Sequence, residues 1–473
     1  MSKIRAAFPV AVSCAGIGLL TAAPTLRAQS CTPHWSTEFM TGGMNGLVRA
    51  VEPVGAPGTP NFAIGGSFTQ AGSVPTNRVA LRTAGGWSAL GQGFQFQNWS
   101  GGGNSYVAAL GEVDLGQGPV LFAGGSIASW GPRNPISGLA AWTGTAWETV
   151  GGGVWCDSTD CQGTVFALAA FDDGTGPALF IGGYFARLSK MGPLPSSPAG
   201  GVARWNGAAW SNLAGGISGA FGGESGQVTA LVAADVDAGA SLYAGGGFDR
   251  MGGVMTFNVA RWNGRTWSAV GGGLARNEVV NDLAAFDDGA GPALYAAIGH
   301  MGGGSPAYGR VKRWNGSAWT TLGPDFSGPV LALMGFDDGN GTALYAGGSF
   351  NVVGGGSSFA RWGGAGWSAV GGGVNGAVRS LAVEHLGAVP TLLVGGSFGS
   401  VGGTVASGSI ARWIGCAPCY PDCNQGGTLT VADFGCFQSR FALGDPYADC
   451  NTSGTLTVSD FGCFQGKFVL GCP

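Results

Sequence analysis

A tryptophan that recurs at intervals of 48 to 63 residues is the feature that most limits how this 473-residue chain can fold. In segments such as VARWNGRTWSAVGGG, a first aromatic residue is followed five positions later by a second one. The second tryptophan of successive copies is Trp87, Trp147, Trp210, Trp267, Trp319 and Trp367. A repeat of this length indicates a β-propeller or a linear array of similar units.

Each unit is predicted to contain four β-strands. The first two strands are joined by turns such as FDDGTGP and FDDGAGP, and the last two by NGAA, NGRT or NGSA. Asp-Gly and Asn-Gly sequences of this kind are typical of tight hairpins. The chain contains 94 glycines, and short strands joined by glycine-rich turns predict an all-β fold.

The last unit lacks its fourth strand. Trp413, in SIARWIGC, has no second tryptophan after it. However, the segment PHWSTEFMTGGMNGLVRAV near the N-terminus resembles AGWSAVGGGVNGAVRSLAV, which begins at Ala365. Trp35 therefore occupies the missing position, 52 residues before Trp87. The sequence predicts a seven-bladed β-propeller over residues 31–416, closed by an N-terminal strand that leaves no exposed sheet edge.

The glycine pairs in LYAGGSF and LLVGGSF, followed by an aromatic residue and a tryptophan in the next two strands, resemble the kelch repeat of seven-bladed propellers. The Trp-Asn-Gly-x-x-Trp hairpin and the GGG segments depart from that repeat. The resemblance implies a kelch-like propeller and no particular function, because such folds support many functions.

The N-terminus resembles an export signal. Lys3 and Arg5 precede an apolar segment, and LRA ends at Ala28, which predicts a signal peptide over residues 1–28. No other segment is apolar enough to cross a membrane, so the mature chain is expected to be secreted or associated with the cell surface. Loss of Lys3, Arg5 and Arg27 changes the net charge from −4 to −7, and the absence of a basic stripe argues against nucleic-acid binding.

Two near-identical segments at the C-terminus, DCNQGGTLTVADFGCFQ and DCNTSGTLTVSDFGCFQ, begin 27 residues apart. Each matches an EF-hand loop, in which oxygen ligands stand at fixed positions around a glycine turn. The predicted calcium ligands are Asp422, Asn424, Thr428 and Asp433 in the first loop and Asp449, Asn451, Ser453, Thr455 and Asp460 in the second. Gly426 replaces a ligand in the first loop, which predicts weaker Ca²⁺ binding there.

The duplicated loops, each followed by one helix, resemble a dockerin of a Gly-Cys type found on exported bacterial proteins. The resemblance covers residues 417–473 and implies Ca²⁺ as cofactor and a cohesin-like domain as partner. By the same resemblance, the partner-facing residues are Val431, Ala432, Arg440, Val458, Ser459 and Lys467. A cysteine-stapled helical pair that folds without metal is the alternative.

Ten cysteines remain after the predicted signal is removed, an even number that suits an oxidising compartment. Cys31 and Cys416 flank the predicted closing strands and are expected to pair, as are Cys156 and Cys161 within one inserted loop. Cys419 and Cys472 are expected to join the ends of the tail, and the other four tail cysteines to pair within or across the two repeats.

The insertions fall in the loops between second and third strands and between consecutive units, which share one face of a propeller. Binding usually occurs on variable loops carried by a rigid scaffold. The aromatic residues there, which are expected to bind carbohydrate or a surface protein or else to cap the blades, are Phe94, Phe96, Trp99, Trp130 and Trp155.

The paired aspartates of the FDDG turns resemble glycosidase carboxylates, but their repetition at one turn favours a structural role. No other catalytic constellation is evident. The main functional prediction is therefore a non-catalytic binding scaffold, tethered through the dockerin-like tail. The alternative is a dockerin-borne polysaccharide-degrading enzyme, either a glycoside hydrolase or a lyase, and a purely structural surface protein is a third possibility.

Overall fold

The computed structural model describes residues 32–416 apart from 57, 95–104, 130–135, 157–161, 189–196, 219–225, 237–238, 301–307, 353–354 and 387–388, and then 423, 431–443, 445, 448–450 and 455–470. The chain divides into two compact units. Thr32–Ala417 forms the first, and the second contains Pro418–Pro473. The predicted signal peptide lies outside the described residues.

The first unit consists of β-strands, as predicted. Strands of its first half are β1 (His34–Trp35), β2 (Val48–Pro53), β3 (Phe62–Gly66), β4 (Gln70–Ala71), β5 (Val74–Pro75), β6 (Val79–Thr83), β7 (Gly86–Ala89), β8 (Tyr106–Asp114), β9 (Pro119–Ser129), β10 (Ile136–Trp142), β11 (Trp147–Thr149), β12 (Val154–Trp155), β13 (Thr164–Asp172), β14 (Pro177–Tyr184), β15 (Arg187–Leu188), β16 (Ser197–Pro198), β17 (Val202–Trp205), β18 (Trp210–Asn212) and β19 (Ile217–Ser218).

Strands of the second half follow the same order. They are β20 (Gln227–Ala234), β21 (Ser241–Gly247), β22 (Arg250–Met251), β23 (Val254–Met255), β24 (Val259–Trp262), β25 (Trp267–Ala269), β26 (Glu278–Asp287), β27 (Pro292–His300), β28 (Arg310–Trp314), β29 (Trp319–Thr321), β30 (Val330–Asp337), β31 (Thr342–Asn351), β32 (Ser357–Trp362), β33 (Trp367–Ala369), β34 (Ala377–Leu386), β35 (Val389–Ser397), β36 (Ser400–Val401), β37 (Val405–Ala406) and β38 (Ile410–Ile414).

Within the described residues, these strands form seven four-stranded antiparallel sheets. In chain order, sheets 1 to 7 are β2-β3-β6-β7, β8-β9-β10-β11, β13-β14-β17-β18, β20-β21-β24-β25, β26-β27-β28-β29, β30-β31-β32-β33 and β34-β35-β38-β1. The first strand of each sheet packs against the first strands of two neighbouring sheets, and β34 packs against β2. First strands that surround one axis define a β-propeller. The remaining short strands form small ribbons of two or three strands.

The second tryptophan of each unit joins neighbouring sheets. Its indole Nε1–H donates to a main-chain carbonyl in the segment that follows the fourth strand of the preceding sheet, at 2.9–3.1 Å in every case. The pairs are Trp35–Gly371, Trp87–Gly42, Trp147–Leu90, Trp210–Gly151, Trp267–Leu213, Trp319–Val270 and Trp367–Leu322. These tryptophans therefore pack between neighbouring sheets.

The glycine pairs of the second strands allow neighbouring sheets to approach closely. A Cβ at Gly395 would lie 2.7 Å from the Val48 side chain of the next sheet, and one at Gly245 would lie 2.5 Å from Val280. A Cβ at the second glycine, Gly396, would lie 2.0 Å from the carbonyl oxygen of Ala377 in its own sheet. Glycine is required here because no other residue leaves this space.

The fourth strand of sheet 7 comes from the N-terminus. β1 pairs with β38, with Trp35 opposite Trp413. Glu38, just after β1, pairs with Arg82 of sheet 1 at 3.0 Å and also contacts Arg412 of sheet 7. Arg412 donates two hydrogen bonds, of 2.9 and 3.0 Å, to the buried carboxylate of Glu384. An ion-pair network therefore spans the junction between the last sheet, the N-terminal segment and the first sheet.

The second unit contains two helices, α1 (Val431–Ala442) and α2 (Val458–Leu470). Phe437 and Phe464 are fully buried and stack with their ring centroids 4.1 Å apart. One disulfide joins Cys423 to Cys436 and another joins Cys450 to Cys463, so these four cysteines pair within their own repeats. Neither described helix is long and apolar enough to cross a membrane.

Cys156 and Cys416 are both disulfide-bonded. Their predicted partners, Cys161 and Cys31, lie outside the described residues, as does the predicted pair Cys419 and Cys472.

Candidate functional site: a central cavity lined by bulged residues

Every first strand contains a β-bulge near its beginning, where one extra residue interrupts the pairing with the second strand. Each bulge lies between a valine and, in most sheets, an alanine. The bulged residues of sheets 1 to 7 are Arg49, Ala108, Phe166, Thr229, Asn281, Leu331 and Arg379. Bulges commonly redirect a side chain beside a functional site.

These seven residues line a central cavity of about 460 Å³, together with their neighbours in the same strands. A volume of this size is within the range of small-ligand sites. The bulges lie within the first four residues of the first strands. They are therefore at the end of the sheets that carries the loops between second and third strands and between consecutive sheets, which we call the long-loop face.

The side of the cavity formed by sheets 7 and 1 is positively charged. The guanidinium carbon of Arg49 lies 4.3 Å from the centroid of the Tyr106 ring, a cation–π contact. The Nε atoms of Arg49 and Arg379 are both buried and have no hydrogen-bond partner in the described part of the chain. Burial lowers the pKa of Arg379, and the charge of Arg49 lowers it further.

Three other polar side chains of the cavity bond to the main chain of the next sheet. Asn281 donates to the carbonyl oxygen of Val330 at 2.7 Å, and Thr229 donates to that of Val280. The Ser380 hydroxyl accepts a hydrogen bond from the Val51 amide at 3.1 Å. These bonds hold adjacent first strands together around the cavity.

Asp282 is the only carboxyl group among the described cavity-lining residues. Its Oδ2 accepts a hydrogen bond from the Leu333 amide and its Oδ1 one from the Leu283 amide, both at 2.8 Å. Burial raises the pKa of Asp282 to about 7 despite these bonds, which favour the charged form. A carboxyl group with such a pKa holds a proton in an appreciable fraction of molecules at neutral pH, as a general acid must.

Two further carboxyl groups, those of Glu52 and Glu112, lie close together on the neighbouring first strands β2 and β8, outside the cavity lining. The Glu112 amide donates to Glu52 Oε1 at 3.2 Å. Burial raises the pKa of Glu52 to about 7; the Glu112 amide opposes the shift, and the nearby Glu112 charge adds to it.

The paired aspartates of the FDDG turns have structural roles. Asp172 Oδ1 accepts hydrogen bonds from the Gly174 and Gly176 amides, both at 2.9 Å, which closes the turn. Asp288, the second member of another pair, accepts 2.9 and 3.1 Å hydrogen bonds from Arg313 and one of 2.8 Å from the Tyr295 hydroxyl. These contacts agree with the hairpin interpretation of the sequence.

The predicted aromatic ligand-binding residues are not assembled into a site in the described structure. Phe94 is fully buried, with its ring centroid 5.1 Å from that of Trp147. Trp155 is also buried, and its Nε1–H donates to the Gly152 carbonyl at 3.0 Å. Phe96, Trp99 and Trp130 lie outside the described residues. Phe94 and Trp155 therefore cap their sheets instead of offering a ring to a ligand.

The predicted calcium loops are described only in part. Asp433 and Asp460 are both fully buried in the first turns of α1 and α2. Asp449 is partly buried and Thr455 is exposed. The described residues contain no group of three or more His, Cys, Asp or Glu side chains arranged to hold a metal. The other predicted ligands, Asp422, Asn424, Thr428, Asn451 and Ser453, lie outside the described residues.

The predicted partner-facing residues lie on the outside of the helices. Val431 and Val458 hold equivalent positions and are 88% and 84% exposed. Ala432, Ser459 and Lys467 are also exposed, and Arg440 is half-buried beside Asp445, with a 3.0 Å ion pair.

Sequence reasoning missed the bulged residues and Asp282. A signal for them exists in the alignment of the repeats, because each first strand contains a valine, then a variable residue, then a small residue or Asp282. The variable residue is the bulged one in every sheet.

No protein-family model and no curated protein sequence matches the chain. Solved structures that it resembles include an α-L-arabinofuranosidase of Fusarium graminearum in complex with an iminosugar inhibitor, at 9% identity and TM-score 0.35, covering 83% of this chain and 98% of that one. The GH93 α-L-arabinofuranosidase of Fusarium graminearum with arabinobiose matches at 10% identity and TM-score 0.36, covering 81% and 97%. The extracellular domain of a hybrid two-component system from B. thetaiotaomicron matches at 9% identity and TM-score 0.28, covering 78% and 52%.

These matches correct the main functional prediction. The sequence predicts a non-catalytic binding scaffold, whereas the matching structures include glycoside hydrolases. The scaffold prediction is therefore wrong, and the alternative, a polysaccharide-degrading enzyme, agrees better with the matches. Identities of 9–10% transfer neither residues nor substrate to this chain, so the function is argued below from its own side chains.

Proposed function

We propose that the protein is an exported enzyme that degrades a polysaccharide in the central cavity of a closed, seven-bladed, kelch-like propeller. The seven sheets, the β1–β38 pairing and the packing of β34 on β2 support the blade number and the closure. Residues 1–28 would direct export, so that the enzyme acts outside the cytoplasm.

Asp282 is the observation that carries the catalytic part of the proposal. Ser380 shows that a hydroxyl group can accept the equivalent amide hydrogen bond from the next sheet. The matching position is alanine in five sheets, namely Ala50, Ala109, Ala167, Ala230 and Ala332. The propeller fold therefore does not need a carboxyl group at this position, and one with a raised pKa that lines a cavity suits proton transfer.

In a hydrolase, Asp282 would donate its proton to the glycosidic oxygen as the carbon–oxygen bond breaks, and water would add to the sugar carbon and return a proton to Asp282. In a lyase, the Asp282 carboxylate would remove a proton from the neighbouring carbon, the glycosidic oxygen would leave and take up a proton, and a carbon–carbon double bond would form. A carboxyl group has about four lone-pair sites, and the two amide bonds leave others for a substrate. The bulged residues lie at the long-loop face, and a polymer would therefore enter from that face.

The experiment is to incubate the purified full chain with a panel of neutral and acidic polysaccharides and measure new reducing ends. Asp282→Ala should lower kcat at least about 100-fold on the substrate found without lowering Tm. The matched control is Asp235→Ala, at an exposed turn residue on the opposite face. Full activity in Asp282→Ala, or no cleavage of any polymer, would refute the proposal. Absorbance of a new carbon–carbon double bond separates a lyase from a hydrolase.

We also propose that the tail is a dockerin-like module that binds Ca²⁺ and docks to a cohesin-like domain. The buried carboxyl groups of Asp433 and Asp460 support this, because each occupies the last ligand position of a predicted loop, and carboxylate oxygens are the ligands that Ca²⁺ prefers. Calcium would neutralise these buried charges and order the loops around them. The exposed Val431 and Val458 would contact the partner.

Calorimetry of the full chain tests the calcium proposal. We expect heat on addition of Ca²⁺, with a dissociation constant in the micromolar to millimolar range (about 10⁻⁶–10⁻³ M). Asp460→Asn should remove binding at the second loop and leave the first. If millimolar Ca²⁺ gives no heat and a chelator leaves hydrogen exchange of α1 and α2 unchanged, the tail is a disulfide-stapled cap.

A further inference from the structure

Arg49 and Arg379 are partly buried in the cavity, and their Nε atoms have no hydrogen-bond partner in the described part of the chain. No acidic partner for either one is found in the described part of the chain. Propeller arginines that pair with a carboxylate include Arg82, Arg204, Arg310, Arg313 and Arg412. Arg78 and Arg361 donate to main-chain carbonyls instead. Among the described residues, Arg49 and Arg379 have neither kind of bond at Nε, although they line a cavity.

The two cavity arginines are unfavourable for folding. They occupy equivalent positions on adjacent first strands, β2 and β34, so two positive charges share one side of the cavity. Like charges in a partly desolvated site repel each other and lose hydration. The other sheets hold neutral residues at the same position, including Thr229 and Asn281. The bulge therefore does not require arginine, and the pair points to a negatively charged ligand.

The geometry suits an anionic group on a sugar. A guanidinium group offers parallel N–H donors that match the oxygens of a carboxylate or a sulfate ester. The Tyr106 ring beneath Arg49 holds that guanidinium in place. A cavity of about 460 Å³ has room for a sugar ring carrying such a group.

We infer that Arg49 and Arg379 form a subsite for the carboxylate or sulfate ester of an anionic sugar unit. The inference rests on the proposed function, because it assumes that the ligand is a glycan. It adds the substrate class, which is an acidic polysaccharide such as one built from uronic acids.

Calorimetry of the full chain with three matched oligosaccharides tests this subsite. They are a galacturonate oligomer, a sulfated galactan oligomer and a neutral galactan oligomer of equal length. We expect one or both anionic oligomers to bind at least about tenfold more tightly than the neutral one, and less tightly as salt is raised. The two anionic arms distinguish carboxylate from sulfate recognition.

The variants use residues that the repeats already hold at the same position. Arg379→Asn copies Asn281 and Arg49→Thr copies Thr229, so both should fold and melt no lower than the parent. Each should weaken anionic binding at least about tenfold and leave neutral binding unchanged. The control is Arg265→Ser, which makes the same charge change in an exposed hairpin and copies Ser317 of another unit.

The outcomes separate this inference from the proposed function. If anionic oligomers bind through the two arginines but no polymer is cleaved, the subsite stands and the enzymatic proposal fails. If a neutral polymer is cleaved and anionic oligomers bind no better than neutral ones, the subsite is refuted and the enzyme stands. Equal binding by the parent, Arg49→Thr and Arg379→Asn also refutes the subsite, whatever the activity.

Discussion

Gly271 and Gly272 allow the packing between sheets to be measured with a matched pair of substitutions. Both lie just after the fourth strand of sheet 4 and both have positive φ, +61° and +80°. A Cβ at Gly271 would lie 2.2 Å from Cζ3 of Trp314 in the next sheet, whereas one at Gly272 would have no atom within 4 Å. Both substitutions are strained by the positive φ, but only Gly271→Ala also places its Cβ against the Trp314 indole.

The left-handed conformation costs a non-glycine residue about 1–2 kcal/mol. Overpacking against a buried ring adds about 1–3 kcal/mol. We therefore expect Gly272→Ala to lower the free energy of unfolding by about 1–2 kcal/mol and Gly271→Ala to lower it by about 2–5 kcal/mol. Chemical denaturation followed by tryptophan fluorescence measures both values.

A third variant tests the cause of the difference. Trp314→Leu should itself destabilise the propeller, but in its presence Gly271→Ala should cost about as much as Gly272→Ala, because the indole is gone. If Gly271→Ala costs no more than Gly272→Ala in the parent protein, the tryptophan of one sheet does not pack on the GGG segment of the preceding sheet as described.

Three further perturbations test other features of the chain. Glu38→Gln should lower the free energy of unfolding by about 1–3 kcal/mol, because Glu38 pairs with arginines of both sheets 7 and 1. Asp249→Asn removes a single 3.6 Å ion pair with the exposed Arg276 and should change the free energy of unfolding by less than about 0.5 kcal/mol. Equal effects of the two substitutions in equilibrium denaturation would exclude a closing role for Glu38. The pKa of Glu52 is raised from 4.5 to about 7, so its contribution to stability is full below pH 4.5 and is lost as the pH rises through 7. Glu52→Gln should therefore be more stable than the parent by up to about 3 kcal/mol at pH 8, and an unchanged difference in Tm from pH 4 to 8 would contradict this. Replacing Cys450 and Cys463 together by serine opens a loop with a sequence separation of 13 and should cost the tail about 3 kcal/mol, seen as faster hydrogen exchange in α2; unchanged exchange would show that the helix needs no staple.

Much of the fold was accessible from sequence because its determinants are local and repeated. Hairpin turns at Asp172 and its equivalents, the tryptophan pairs and the glycine pairs each recur in several units. The mostly β, propeller-type fold is confirmed. Closure through Trp35 was inferred from a resemblance between two short segments, and the register of β1 against β38 supports it.

The candidate site was not accessible in the same way. A bulged residue is one among many variable positions until seven first strands are placed around one axis. Arg49 and Arg379 are 330 residues apart in the chain, and only the ring makes them neighbours. The prediction that Phe94 and Trp155 bind a ligand failed because both side chains are buried. An aromatic residue in an insertion suggests an exposed ring, but its burial depends on contacts with other segments of the chain.

The ion pair between Glu38 and Arg412 also affects the order in which the chain can fold. Most strand pairs form within one repeat, whereas these partners are 374 residues apart. Closing so long a loop costs only about 2 kcal/mol more than closing one of about 50 residues, since the entropy grows by about 0.6 kcal/mol per doubling. The additional cost is small, but all described strand pairings other than that of β1 with β38 join residues much closer together in the chain. Closure is expected last for that reason, after six sheets have formed, and until then β38 presents an unpaired edge. At high concentration, that edge can take the N-terminal strand of a second copy, and closure then becomes domain-swapped dimerisation.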